Sequence, residues 1–308
     1  MNRKKFLALS CCILALALFG TGCLLSPVIG GVVYENADEY VVGNASYDDL
    51  PRTIKICWTV GSVEIVRTDE SRVTLTEADD GLKEDEKMRS LNRDGTLTVR
   101  FWKSGKRGRI DSERKKLTVS LPEGISVLLE TVSANVNACD LVCPTVSVKN
   151  VSGEIFLGDV TADDLTVETV SGSFRADEVR TENLSAYTVS GSLSFRSLKT
   201  GTFTVESVSA DLSVQDLSAD VVAAETVSGN IRFRATLCGS ADLETVSGDC
   251  ILEKVASLGM TVDFHSSSGR LISSLPRTEE NGKHVFGDGN CKVRFRSTSG
   301  NLTVSDAG

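Results

Sequence analysis

A 19-residue repeat dominates the sequence and restricts how the chain can fold. The tripeptide Val-Ser-Gly or Val-Ser-Ala returns with constant 19-residue spacing at Ser133, Ser152, Ser171, Ser190, Ser209, Ser228 and Ser247. Constant spacing is the signature of repeat architectures, in which each unit buries its apolar side against its neighbours. Further Ser-Gly pairs at Ser268 and Ser299 follow at longer intervals, which indicates C-terminal variants with insertions.

Apolar and small residues recur at eight positions in each repeat, including the valine before the serine and the glycine or alanine after it. Their spacings run 2-2-2-3-2-3-2-3. Steps of two are typical of extended strands, because successive side chains point to opposite faces. Each step of three adds a residue and marks a corner. We therefore expect an all-β fold: a single-chain parallel β-solenoid with three-sided 19-residue coils, which the preference for right-handed crossovers makes right-handed.

The N-terminus resembles a targeting segment. Arg3, Lys4 and Lys5 precede an apolar run and the small residues Gly-Thr-Gly, and Cys23 follows directly. This order predicts a bacterial lipoprotein signal with Cys23 as the lipidated residue. The alternative is an uncleaved anchor, because residues 24–33 remain fairly apolar and could extend the run to about the 20 residues that a spanning helix needs. Both interpretations predict an exported protein attached to the cell membrane or displayed on the cell surface.

Composition changes along the chain predict five segments. They are a signal peptide at 1–22, a lipid anchor and flexible tether at 23–52, irregular N-terminal β coils with charged loops at 53–127, regular solenoid repeats at 128–268, and C-terminal coils with an inserted loop and a cap at 269–308. The irregular terminal coils are expected to act as caps, because open solenoid ends expose unpaired edges.

Charge and cysteine content exclude some classes of protein. Removing residues 1–22 would take away three positive charges and change the formal charge from −9 to −12, so we expect no binding to nucleic acid. Six cysteines lie beyond Cys23, and their placement in the repeat predicts mostly free, buried thiols. They are Cys57, Cys139, Cys143, Cys238, Cys250 and Cys291.

Several short motifs carry a family resemblance: "VGSVEI" near the start of the body, "KLTVSLPEG" after it, serial "ETVSG" coils and a final "RSTSGNLTV". With the lipoprotein-like signal peptide, they resemble the LiaG-like putative adhesin family of bacterial envelope proteins over about residues 53–308. The resemblance implies a β-solenoid of unknown molecular activity, and it brings no catalytic residues.

The sequence gives little indication of catalysis. The two histidines, His265 and His284, have no histidine or cysteine pair at metal-binding spacing. We predict a protein that is not an enzyme and needs no cofactor: an adhesin or surface scaffold that binds an envelope polymer or protein. A self-assembling structural protein that associates end to end and a polysaccharide-active β-helix enzyme are the alternatives.

Two charged clusters are candidate binding sites. A ladder of carboxylates on successive coils could attract divalent cations or a basic partner, although a solvated corner is the simpler explanation. It consists of Glu206, Glu225, Glu244 and Asp263. A basic cluster in a predicted exposed hairpin could contact an anionic surface near the anchor. It consists of Lys103, Lys106, Arg107, Arg109, Arg114, Lys115 and Lys116.

Overall fold

A computed structural model describes residues 32–78, 81–254 and 259–306. These residues form 23 strands, two 3-10 turns (Ala37–Glu39 and Ser112–Arg114) and no α-helix. The chain divides into two compact units that meet in sequence between Ser173 and Phe174. The all-β prediction is confirmed.

The N-terminal unit contains β1 (Val41–Val42), β2 (Ala45–Tyr47), β3 (Thr53–Trp58), β4 (Ser62–Arg67), β5 (Val73–Glu77), β6 (Arg89–Arg93), β7 (Thr96–Arg100), β8 (Lys116–Leu121), β9 (Ser126–Thr131), β10 (Asn135–Ala138), β11 (Leu141–Asn150) and β12 (Ile155–Thr169). The C-terminal unit contains β13 (Phe174–Thr188), β14 (Leu193–Ser207), β15 (Leu212–Thr226), β16 (Ile231–Thr245), β17 (Cys250–Lys254), β18 (Met260–Ser266), β19 (Leu271–Ile272), β20 (Thr278–Glu280), β21 (Lys283–Phe286), β22 (Cys291–Ser297) and β23 (Leu302–Asp306).

In the regular part of each unit, parallel strands pair so that each residue lies beside its equivalent in the next repeat. In the N-terminal unit Val146 lies beside Leu165, and in the C-terminal unit Leu193 lies beside Leu212, each pair one repeat apart in the sequence. Equivalent side chains therefore stack in columns. Inside the C-terminal unit the buried rings of Phe174, Phe195 and Phe203 contact one another at centroid distances of 5.2 and 5.5 Å. The predicted parallel solenoid is confirmed in this respect.

The turn around each serine differs from the prediction. The valine before the serine is only half buried, whereas the polar residue before that valine is buried. This column contains Thr131, Asn150, Thr169, Thr188, Ser207, Thr226 and Thr245. Its hydroxyls accept the backbone N–H three residues on, as Thr226 does from Gly229 at 3.1 Å. Each repeat still has three steps of three residues, but one step lies at this turn, so the predicted inward valine is wrong.

The turn serines themselves are exposed and have a structural role. Ser228 donates its hydroxyl to the carbonyl oxygen of Val208 at 3.4 Å, and Ser247 does the same to Val227 at 3.4 Å. The glycine that follows is packed closely, because a Cβ on Gly229 would lie 1.8 Å from the carbonyl oxygen of Ala210. These contacts explain why the tripeptide recurs without any catalytic requirement.

At the N-terminal end of the body, spatial order departs from sequence order. Strand β3 lies between β7 and β9, and β4 lies between β8 and β10. Beyond them β6 pairs antiparallel with β7, and β5 pairs antiparallel with β8. Strands β1 and β2 extend these antiparallel ribbons, so residues 41–47 are part of the folded body rather than of the predicted flexible tether.

A similar exchange occurs in the C-terminal unit. Strand β22 lies between β16 and β18, and β23 lies between β17 and β19. The last strands of the sequence are therefore inserted between earlier ones, whereas the sequence predicted that they continue the stack. Side chains reinforce this order, since Asp249 accepts the backbone N–H of Asn301 at 2.8 Å and Asn301 accepts that of Arg270 at 3.0 Å.

Candidate functional site

Five parallel strands of the C-terminal unit, in the order β14, β15, β16, β22 and β18, share one outer surface. Because the strands are in register, their outward side chains form three straight columns. We call this surface the charged face. Its columns are Thr202, Val221, Ser240, Lys292 and Thr261; Thr204, Ala223, Asp242, Arg294 and Asp263; and Glu206, Glu225, Glu244, Arg296 and His265.

Three of the four predicted ladder carboxylates do align. Glu206, Glu225 and Glu244 lie side by side on β14, β15 and β16. The next position is Arg296, because β22 intervenes, and Asp263 belongs to a different column beside Arg294. The prediction that Asp263 continues the ladder is therefore wrong, since it assumed that strands stack in sequence order.

Basic residues of β22 face the acidic residues of β16. Arg296 lies 3.3 Å from Asp242 and 3.1 Å from Glu244, and Arg294 lies 3.4 Å from Asp242. On β18, Asp263 lies 3.2 Å from His265. Within the described residues, no three His, Cys, Asp or Glu side chains are arranged to hold a metal ion. The face thus has an acidic half on β14 to β16 and a basic strand on β22.

The three basic residues of this face were not predicted from the sequence. Lys292, Arg294 and Arg296 alternate with the buried residues Val293 and Phe295 along β22. Such alternation predicts a strand with one charged face. It was detectable, but only the register with β16 shows that these side chains adjoin Asp242 and Glu244.

The predicted basic cluster is largely neutralised by neighbouring acids in the N-terminal unit. Lys106 lies 2.5 Å from Asp85, and Lys116 lies 3.0 Å from Glu113. Arg114 donates to the carbonyl oxygen of Gly81 at 2.6 Å. The remaining exposed members are Lys103, Arg107 and Arg109.

Lys115 is the largest departure from that prediction, because it is fully buried. Its Nζ forms an ion pair with Glu77 and donates to the carbonyl oxygens of Glu86 and Phe101 at 2.8 and 2.6 Å. The ring centroids of Phe101 and Trp58 lie 4.3 and 4.7 Å from Nζ. Burial lowers the pKa of Lys115 from its usual value, and the charge of Glu77 opposes this shift. The surroundings are those of a core residue, so Lys115 is unavailable to an anionic surface.

A family model described as Toastrack DUF4097 matches residues 52–305. The chain belongs to this family. The resemblance seen in the sequence is confirmed at this level, and the narrower LiaG-like assignment stays a prediction.

Several solved structures are similar to this Toastrack chain. A "putative lipid binding protein" and a "putative adhesin", both from Parabacteroides distasonis ATCC 8503, share 15% and 14% identity with TM-scores of 0.49 and 0.43. Each alignment covers 85% of this chain, and 96% and 97% of the respective structures. A "putative adhesin" from Bacteroides fragilis NCTC 9343 shares 12% identity over 86% of this chain and 97% of its own, with a TM-score of 0.39. No curated protein matches. Likeness at this level concerns the fold alone.

Cysteines of this Toastrack chain differ in state. Cys57 is disulfide-bonded, whereas Cys139, Cys143, Cys250 and Cys291 are free, which agrees with the prediction of mostly free thiols. Burial raises the pKa of Cys143 to about 11 and raises that of Cys250 further. A buried thiol with a raised pKa is a poor nucleophile, because the thiolate is the reactive form.

We therefore expect a thiol reagent at pH 8 to modify Cys139 of the native protein before Cys143, Cys250 and Cys291, because Cys139 is the least buried of these four thiols. Cys143, Cys250 and Cys291 should react at a comparable rate only after unfolding in urea. Peptide mass spectrometry after timed labelling measures each site separately. Rapid native labelling of Cys250 would contradict its placement in the core.

Proposed function

We propose that the protein is a non-catalytic, adhesin-like binding scaffold of the cell envelope, and that the charged face is its recognition surface. The observation that carries the proposal is the in-register array of five strands, which holds three aligned glutamates beside a strand of three basic residues. Opposite charges in fixed positions favour a partner with a complementary pattern and exclude others through like-charge repulsion. An extended, charged envelope polymer or protein segment fits this array best.

The structural role of the turn supports a scaffold. The turn serine donates its hydroxyl to a carbonyl oxygen in the preceding repeat. A serine that occurred only once could be interpreted as a nucleophile, but this one recurs in each repeat. The polar column beneath it is used for turn hydrogen bonds. The most regular hydroxyl groups of the chain therefore maintain the fold that displays the charged face.

Reversing charge on the face is expected to weaken attachment to isolated cell envelopes by about tenfold, because complementary electrostatics would become repulsive. The test variant carries Glu206→Lys with Glu225→Lys. A matched control carries Glu182→Lys with Asp216→Lys, which changes the charge equally at exposed positions outside the face. Cosedimentation with envelopes compares the two. Equal binding by both variants would show that the charged face is not the recognition surface.

Attachment at the envelope is the second part of the proposal, and Cys23 is its proposed lipidation site. Cys23 lies outside the described residues. In the described part of the chain, no helix is long and apolar enough to cross a membrane. The basic start, apolar run and small residues before Cys23 support a lipoprotein signal.

If Cys23 carries the lipid, cells fed a labelled fatty acid should yield labelled protein, and Cys23→Ser should abolish the label and release the chain from the membrane fraction. Cys139→Ser serves as the control, because Cys139 lies in the folded body and should leave labelling unchanged. Labelling of the Cys23→Ser chain would instead favour another attachment site. Membrane retention without any label would favour an uncleaved anchor.

End-to-end self-association is the weaker alternative. It would need strand edges open at the ends of each unit. In the N-terminal unit β5 and β6 pair antiparallel with β8 and β7, and in the C-terminal unit β21 pairs antiparallel with β18. These pairings cover edges on which a second copy would have to stack.

A further inference from the structure

The contact between Lys115 and Glu77 brings together the components of an amide-forming reaction. Both side chains are almost completely buried, at 0% and 2% exposure. They come from neighbouring antiparallel strands, since Glu77 ends β5 and Lys115 directly precedes β8. An amine and a carboxyl group held in contact and buried from bulk solvent gain from proximity and from desolvation of the nucleophile.

Two backbone carbonyl groups orient the amine. A lysine ammonium has three N–H donors, and those of Lys115 are directed to Glu77 and to the carbonyl oxygens of Glu86 and Phe101. If one proton passes from Nζ to Oε1 of Glu77, the two carbonyl oxygens can keep the remaining N–H groups. The lone pair then faces the Glu77 carboxyl group. The rings of Trp58 and Phe101 complete the dry surroundings.

A backbone donor polarises the carboxyl group. Met88 donates its backbone N–H to Oε2 of Glu77 at 2.8 Å. That oxygen would carry the negative charge that develops when the amine attacks, and a fixed N–H donor stabilises such charge. Burial, which lowers the pKa of Lys115, adds to this by favouring the neutral amine over the ammonium ion.

We propose that Lys115 and Glu77 condense to an intramolecular amide that cross-links the start of β8 to the end of β5. The bond between Nζ and Cδ of Glu77 forms, and the bond between Cδ and Oε1 breaks. Oε1 leaves as water with the two protons that Nζ gives up, and Oε2 becomes the amide oxygen. The reaction is a condensation, so it needs no oxidant, reductant or further reactant. It is independent of the proposed binding function.

Such a bond would secure β5, the antiparallel strand that covers β8 at the end of the stack. It would join residues 38 positions apart in the sequence. The nearby pair of Lys106 and Asp85 provides an internal comparison, because the Asp85 side chain is about half exposed and has water available.

The experiment is peptide mass spectrometry on the folded wild-type chain after denaturation and trypsin digestion. We expect a branched product in which peptide 73–83, which contains Glu77, carries Lys115 and Lys116, because trypsin does not cleave after an acylated lysine. Its mass is that of peptide 73–83 plus the Lys115–Lys116 dipeptide less one water. Lys115→Arg should yield only the linear peptide 73–83, whereas Lys106→Arg should leave the branched product in place.

Water can also be lost by cyclisation at Asp80–Gly81, which falls in the same tryptic peptide as Glu77. That product remains unbranched and persists in Lys115→Arg, so the variant and the fragment spectra distinguish the two. The wild-type measurement alone decides the proposal if Lys115→Arg fails to fold. Full recovery of the linear peptide 73–83 from folded wild-type protein would overturn it.

Discussion

Replacing Lys115 by methionine is expected to lower the free energy of unfolding by about 3–5 kcal/mol, because it leaves the buried carboxylate of Glu77 uncompensated, whether the wild-type pair is ionic or joined by the proposed amide. Glu77 is the residue left behind, with its carboxylate between buried strands. The carbonyl oxygens of Glu86 and Phe101 lose a donor at the same time. Methionine has a similar length and is apolar, so the loss is mainly electrostatic rather than a cavity.

Urea unfolding followed by circular dichroism measures this effect. The double variant Glu77→Gln with Lys115→Met removes the uncompensated carboxylate and keeps an acceptor for the backbone N–H of Met88. It should therefore recover about half of the lost free energy of unfolding or more. Lys116→Met, which breaks the exposed pair with Glu113, is the surface control, with an expected cost of at most about 1 kcal/mol. Equal stability of Lys115→Met and wild type would show that the pair contributes nothing.

The regular repeats were predictable because a 19-residue period fixes strand direction, register and stacking at once. Once Val146 is known to be buried, so is its equivalent one repeat later. The insertion of β22 between β16 and β18 was not predictable in this way. Outside the regular repeats each strand could pair with several others, and the choice depends on contacts such as Arg296 with Asp242.

The burial of Lys115 could not be predicted from the sequence for a different reason. Its neighbours in sequence are charged, and Arg114 and Lys116 are partly or largely exposed. A lysine in such a run ordinarily remains in solvent. The acid that compensates it, Glu77, lies 38 residues away and looked equally exposed in the sequence. Only long-range packing of β5 against β8 brings the two charges into one buried site.

The polar column was misassigned by a single residue. Val-Ser-Gly follows a threonine, serine or asparagine, and the sequence placed the valine inside because valine is the more apolar of the two. The structure places the hydroxyl inside, where the turn supplies donors such as the backbone N–H of Gly229. Hydrogen bonding at the turn thus outweighs the preference of Val227 for burial. Replacing the buried Thr226 tests this explanation.

Thr226→Val is expected to lower the free energy of unfolding by about 1–3 kcal/mol, because the buried backbone N–H of Gly229 would lose its acceptor and an unsatisfied buried polar group costs about that much. The Thr226 hydroxyl accepts from the N–H of Gly229 at 3.1 Å and from the hydroxyl of Ser207 at 2.8 Å. Valine has nearly the same shape, so packing is preserved. The N–H of Gly229 loses its acceptor, whereas the Ser207 hydroxyl can still donate to the carbonyl oxygen of Ala210 at 3.5 Å. Ser228→Ala, at the exposed residue of the same turn, should cost at most about 1 kcal/mol. The midpoints of urea unfolding compare the variants, and a Thr226→Val protein as stable as wild type would mean that the buried column does not hold the turns together.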